Sequence, residues 1–233
     1  MVQIKKLTFK RKNDIFHMEL VVLCEEDIEY VKNFVLTQYN YFDRKDYFII
    51  DDLDTELPCI FEKDIGIIYG VLYESNLVAL QVVDFSENND KMLRPYVQKF
   101  INRDCKIYEL GWTLVKKEFR GFHIADYLIN YAEKQILNES DYILVATVHP
   151  ENAKALQLFF RNSFNGILLD EYYGYIRIFL TNKPIPKNIH SQICVEPTNF
   201  EKIKELFNNG YVCSNIVSNS NKVYLSFGIP NSQ

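Results

Sequence analysis

Glycine and proline are scarce in this chain: 8 and 7 of 233 residues. Each glycine is therefore more informative than usual about local backbone. There is no excess of basic charge. Lys and Arg number 26 against 31 Asp and Glu, for a formal net charge of -5, which argues against general nucleic-acid binding. No apolar run reaches membrane-spanning length, and the N-terminus MVQIKKLTFKRKNDIF lacks the apolar core of a signal peptide. Neither a membrane nor a nucleic-acid partner is expected. The five cysteines (Cys24, Cys59, Cys105, Cys194, Cys213) are odd in number and form no CxxC pair. Free thiols in a reducing cytoplasm and no metal site are the expectation. No GxGxxG or GxxxxGK[ST] is present.

What the chain does have is a core's worth of hydrophobic residues, 48% of the total, and an order of elements that mixes strands and helices. Met18–Cys24 reads as a strand, followed by a helix with an apolar stripe at Ile28, Val31, Phe34 and Val35. Asp43–Asp64 reads as irregular and acidic, with Asp51, Asp52, Asp54 and Glu56 close together. Ile67–Tyr73 and Leu77–Val83 suit a hairpin, and Leu93–Asn102 a short helix. Lys106–Val115 is a strand, and the helix after it has its apolar face at Ile124, Leu128, Ile129, Ala132 and Ile136. Tyr142–Val148 is a buried-type strand, Asn152–Asn162 a helix, and Gly166–Leu169 and Tyr175–Leu180 strands. Thr181–Gln192, with two prolines, reads as a linker before a tail of strand, helix and two strands.

The most informative segment is the strand–turn–helix at Leu110–Leu128, with Arg120-Gly121-Phe122-His123 between the two elements. A tight turn that opens a helix aims several backbone N–H groups at one spot, and the helix dipole adds positive charge there. A pyrophosphate can be held in this way without a metal. An ordinary turn with a surface Arg fits these residues equally well.

The stretch LVKKEFRGFHIADYL resembles the acyl-CoA-binding motif of the GNAT superfamily, Arg/Gln-x-x-Gly-x-Gly/Ala, with Arg120 first and Ala125 last. His123 stands where the family usually has its middle glycine, and Asp126 places a carboxylate close to the turn. A second block, VHPENAKALQLFFRNSF (Val148–Phe164), is similar to the family's next motif. Val148, Pro150, Asn152, Ala155 and Phe164 match it, and Ser163 replaces a glycine. The resemblance spans roughly Met18 to Leu180 and is specific over Leu110–Phe164. It implies a mixed α/β fold: a mostly antiparallel sheet flanked by helices, with a small strand–helix–hairpin extension at the C-terminus. Residues 1–182 would form the acyltransferase domain and 190–230 the extension packed on it. The family splays the strand before Asn152 away from the phosphate-turn strand, and the pantetheine arm pairs with exposed backbone there.

The resemblance implies acetyl-CoA as co-substrate and an amine, cationic ones included, as acceptor. Thr113, Leu114, Val115, Arg120, Gly121, Phe122, His123, Ile124, Ala125, Asp126, Asn152 and Phe159 would contact the cofactor. Asn152 reads also as a helix N-cap. Some family members carry a general-base Glu eleven residues before the Arg of the turn, which here is Glu109. A solvent-facing strand carboxylate is the alternative for Glu109, and His149 is the alternative base. Phe159 occupies the position where many members have a Tyr that protonates the departing thiolate; Tyr172, Tyr173 or Tyr175 could supply a donor instead. The leading function is acetylation of a primary amine, and a weakly catalytic CoA-binding sensor or scaffold is the competing one. A homodimer remains open.

Finally, the tail echoes the second motif at an offset of 47 residues. VEPTNFEKIKELFNNGY (Val195–Tyr211) repeats Val148, Pro150, Asn152, Phe160 and Asn162 as Val195, Pro197, Asn199, Phe207 and Asn209. Convergent helix patterning could produce the same five identities; a partial repeat is the other reading.

Overall fold

In the computed structural model the chain forms, in order, β1 (Val2–Arg11), β2 (Asp14–Leu23), α1 (Ile28–Asn40), α2 (Leu53–Glu62), β3 (Gly66–Tyr73), β4 (Asn76–Asp84), α3 (Glu87–Val97), β5 (Lys106–Val115), α4 (Ile124–Ile136), β6 (Tyr142–Val148), α5 (Ala153–Arg161), β7 (Asn165–Tyr172), β8 (Tyr175–Thr181), β9 (Ile189–Val195), α6 (Phe200–Asn208), β10 (Val212–Asn219) and β11 (Lys222–Pro230). The structure describes residues 1–11, 14–50, 52–62, 65–85, 87–100, 105–136, 142–182, 189–219 and 222–230. The architecture is mixed α/β, with a mostly antiparallel sheet. Among the described residues, no helix is long and apolar enough to cross a membrane.

Two compact units divide the chain. Unit 1 comprises Met1–Asp90 and Tyr108–Ser140, and unit 2 comprises Lys91–Ile107 and Asp141–Gln233. The division does not fall at the expected linker: the tail belongs with β6–β8. Within unit 1 the strands pair β1-β2-β3-β4-β5. One face of this sheet carries a core of Val21, Leu23, Ile68, Leu80, Val82, Trp112 and Leu114. Against it pack Val31, Phe34 and Val35 of α1 and Leu53, Leu57 and Ile60 of α2. These fall at helical spacing, so each helix turns one stripe to the sheet.

The sequence reading needs correction in this unit. It does not anticipate β1 as a strand, and Asp43–Asp64 is not irregular throughout, because α2 lies within it. Asp51, Lys63 and Asp64 lie outside the described residues. Asp52 caps the helix: its carboxylate accepts from Thr55 Oγ1 at 2.6 Å and from the Asp54 amide at 3.1 Å. The hydrogen bond from Thr55 holds the Asp52 carboxyl below its ordinary range. Asp54 pairs with Lys32 of α1. The acidic run is thus the acid-rich first turn of a helix, where the dipole favours negative charge. Pro58 sits inside α2.

Within unit 2 the order is β6-β8-β7-β10-β11-β9. Its core joins Leu93 and Val97 of α3 to Ile143, Val145, Ile167, Tyr172 and Phe179. The ring of Tyr96 stacks on Phe179 at 4.3 Å. The expected linker Thr181–Gln192 is shorter than anticipated, since β8 runs to Thr181 and β9 starts at Ile189; residues 183–188 lie outside the described residues.

Candidate active site

The strand β5 carries Glu109 at one end and leads to the candidate phosphate turn at the other. Val115 lies six residues beyond Glu109, about 20 Å along an extended strand. The pairing of β5 with β4 is broken once. Ala79, Leu80 and Gln81 oppose Val115, Leu114 and Thr113, whereas Val83 and Asp84 oppose Leu110 and Glu109. Gly111 and Trp112 therefore face the single residue Val82, which is a β-bulge. The extra residue inverts the alternation of side chains. Directly opposed residues of an antiparallel pair share a sheet face. Glu109, opposite Asp84, thus falls on the face of Leu80, Val82, Trp112 and Leu114, the side covered by α1 and α2. Unbroken alternation would have put it on the Thr113 face instead. There Thr113 Oγ1 donates to Gln81 Oε1 at 2.5 Å, a pair closed by Gln81 Nε2 donating to Val82 O at 2.7 Å. Glu109 is half-buried. The signal that could have revealed the bulge is Gly111, a lone glycine inside a strand pattern.

Beyond Val115, a 3₁₀ turn at Lys117–Phe119 brings the chain to Arg120. The Arg120 Nε donates to the Val115 carbonyl at 3.0 Å, bracing the two ends of the turn. Gly121 then has φ +85° and His123 φ +60°, on either side of Phe122. A Cβ added at Gly121 would meet no atom within 4 Å, so this position needs glycine for its handedness and not for space. His123 adopts the same handedness with a full side chain, which histidine tolerates better than most residues but at a cost. The Tyr127 amide donates to the His123 carbonyl at 3.0 Å and starts the ladder of α4. Amides of the first turn precede that ladder and point out of the helix end. Left-handed residues at a helix start, with the dipole behind them, give a geometry suited to an anion.

The turn is held from below by rings. Phe122, 5% exposed, turns its side chain inward against Phe16 at 4.8 Å and Phe119 at 6.3 Å. Tyr73 packs on Phe16 and Phe119 at 5.5 and 5.4 Å. Phe16 and Tyr73 come from β2 and β3, and nothing in the motif itself points to them. Leu114 and Ile124 are buried, so they and Phe122 offer a ligand only their backbones. Asp126 lies in the first turn of α4, with its carboxylate 3.2 Å from His123 Nδ1. That side chain is 17% exposed, against 75% for His123.

In unit 2, Asn152 is the N-cap of α5, its Oδ1 accepting from the Ala155 amide at 3.2 Å. His149 is 6% exposed, and its Nδ1 accepts from the Glu151 amide at 3.2 Å. Its ring lies edge-on to Phe200 at 6.5 Å. These contacts give His149 a structural task. Phe159 is buried and packs edge-on against Phe164 at 5.2 Å. Tyr172 lies in the unit's core, whereas Tyr173 and Tyr175 are exposed at the β7–β8 hairpin. Among the described residues, no group of three or more His, Cys, Asp or Glu is placed to hold a metal ion.

No family model matches the chain, and no curated protein matches it. Solved structures do. A probable acetyltransferase from Staphylococcus epidermidis superposes with a TM-score of 0.54 at 15% identity, covering 70% of this chain and 97% of its own. Arabidopsis thaliana NAA60 in complex with acetyl-CoA gives 0.55 at 15% identity over 70% and 97%. The GNAT domain of S. lividans PAT gives 0.52 at 11% identity over 76% and 94%. The chain has the GNAT fold. The GNAT assignment rests on shape, since identities this low carry the fold and not the reaction.

Proposed function

We propose that the protein is an acyl-CoA-dependent N-acyltransferase that moves an acetyl group from acetyl-CoA to a primary amine. The observation that carries this reading is the turn at Arg120–Asp126, whose two left-handed residues open α4 over an aromatic base. The acetyl-CoA bound by a solved relative in fold, Arabidopsis thaliana NAA60, supports the choice of co-substrate. In this reading, backbone amides of Gly121–Ala125 hold the diphosphate, with Arg120 bracing the turn. The amine nitrogen attacks the thioester carbonyl; the C–N bond forms and the C–S bond breaks.

An alkylammonium with a pKa of about 10 has no lone pair, so a base must take its proton. Glu109 is that base, on the face of β5 that α1 and α2 cover, and about 20 Å of strand from the anion cradle. A long thin ligand suits such a separation of anion site and base. With Phe159 in place of a Tyr, CoA departs as the thiolate, which a thiol pKa of about 8.5 permits. Asp126 favours the competing reading of a CoA-binding protein with weak turnover, because its carboxylate stands in the first turn of α4.

The test is a pH–rate profile of Glu109→Gln beside the parent on one confirmed amine, with acetyl-CoA affinity measured alongside. Loss of the base should lower kcat by about 10²- to 10⁴-fold, with recovery as pH approaches the amine's own pKa. Affinity for acetyl-CoA should hardly change. A variant with parental kcat at every pH would remove Glu109 from the chemistry.

A further inference from the structure

The echo between Val148–Phe164 and Val195–Tyr211 extends through the whole of two supersecondary units. β6 and β9, α5 and α6, and β7 and β10 begin and end 47 residues apart. Asn152 and Asn199 cap their helices with near-identical backbone angles, φ -79° and ψ 68° against φ -87° and ψ 70°. Each accepts from the amide three residues on, at 3.2 and 3.1 Å. After each helix comes one left-handed residue, Ser163 at φ +66° and Gly210 at φ +80°.

The registers repeat as well. Gly166 opposes Leu180 and Leu168 opposes Phe179, with a break between them; Cys213 opposes Phe227 and Asn215 opposes Ser226, with the same break. Val148 opposes Ile178, as Val195 opposes Leu225. Convergent helix patterning does not place a matching bulge in a neighbouring hairpin.

The two copies meet in a particular way. β7 and β10 pair antiparallel, and the residues that face each other are Gly166 and Cys213, themselves 47 apart. When equivalent residues of equivalent antiparallel strands are opposed, a half-turn about their midpoint exchanges the strands. The order β6-β8-β7-β10-β11-β9 is palindromic under that exchange. The helices obey it too, α6 packing on β7 and α5 on β10, each across the axis. This is the geometry of an isologous two-fold interface, built within one chain.

We infer that Ile189–Pro230 is a second copy of Tyr142–Thr181 and acts as a built-in partner, occupying on β7 the place a second chain would take in a two-fold dimer. The protein is accordingly a monomer. Each copy completes the other. β10 meets the edge strand β7, which unpaired would invite another strand. Ile203, Leu206 and Phe207 of α6 are buried in the arrangement. The strand–turn–helix of β5 and α4 precedes both copies, and the described residues of the second copy contain no equivalent of it.

The test uses the full chain and does not depend on the proposed activity. A Cβ built on Gly166 lies 3.1 Å from that of Cys213, and a disulfide sets the two at about 3.5–4.5 Å. Ile178 Cγ2 lies nearer still, at 3.0 Å, so with both neighbours giving by a few tenths of an ångström Gly166→Cys can cross-link with Cys213 under oxidation. Peptide mapping should find a 166–213 disulfide within single chains. Sedimentation of the unmodified protein, from micromolar to near-millimolar concentration, should give 27.6 kDa throughout. A 166–213 disulfide between chains, or a dimer at any of those concentrations, would overturn the inference. The sedimentation result stands whether or not the variant folds.

Discussion

Exchanging glycine and side chain across the turn separates handedness from space. Gly121→Ala adds a methyl group where nothing lies within 4 Å, so packing cannot oppose it. What opposes it is φ +85°, at a cost of roughly 1–2 kcal/mol for a residue with a Cβ. His123→Gly removes a similar cost at φ +60°. Against that gain stand the greater freedom of glycine in the unfolded chain, about 0.5–1 kcal/mol, and the exposed contact with Asp126, about 0–1 kcal/mol. The first variant should therefore be less stable by about 1–2 kcal/mol, and the second should lie between about 1 kcal/mol less and about 1.5 kcal/mol more stable than the parent. Guanidinium titrations read both as shifts of midpoint at constant slope. Gly121→Ala at parental stability, or His123→Gly destabilised by more than about 1 kcal/mol, would refute the argument that handedness is what the turn costs.

Three further outcomes follow from single contacts. Asn152→Ala and Asn199→Ala should each cost about 1 kcal/mol as lost caps. Chemical denaturation checks both, and a variant at parental stability would contradict the cap. Asp52→Ala should flatten the acid side of the stability profile. The native carboxyl lies below its ordinary range, so its contribution is complete above the unfolded pKa and is lost as pH falls through the folded one. Melting temperature against pH checks this, and identical acid limbs would contradict it. His149→Gln should leave the pH–rate profile unchanged, because His149 Nδ1 is engaged by the Glu151 amide; a lost acid-side limb would restore His149 as a candidate base.

What was legible in the sequence is what local pattern determines. The face of α4 reads directly from Ile124, Leu128, Ile129 and Ala132, all buried. The boundaries of β6 and the asparagine caps of α5 read as well, because a strand apolar throughout and a capping side chain are short-range signals. The helix α2 does not show in a segment read by its acids, whereas the spacing of Leu53, Leu57 and Ile60 is the better guide. The facing of Glu109 could not be read from alternation, since one bulge at Gly111–Trp112 reverses it. The rings of Phe16 and Tyr73 beneath the turn are brought there by strand pairing far along the chain. The repeat was visible as five identities, but its two-fold meeting at Gly166 and Cys213 is a property of the fold alone.

The central claim is that the turn at Arg120–Asp126 binds acyl-CoA, and a thermal titration with acetyl-CoA tests it most directly. At about 100 times the dissociation constant, linkage stabilises the folded protein by roughly 2.7 kcal/mol. For a chain of this size that is a rise in melting temperature of about 5–10 °C. Arg120→Glu should abolish the rise while the unliganded protein melts close to the parent, since Arg120 is exposed and braces the turn through one bond to Val115. A melting temperature unmoved up to millimolar acetyl-CoA, or a rise that survives Arg120→Glu intact, would contradict the account.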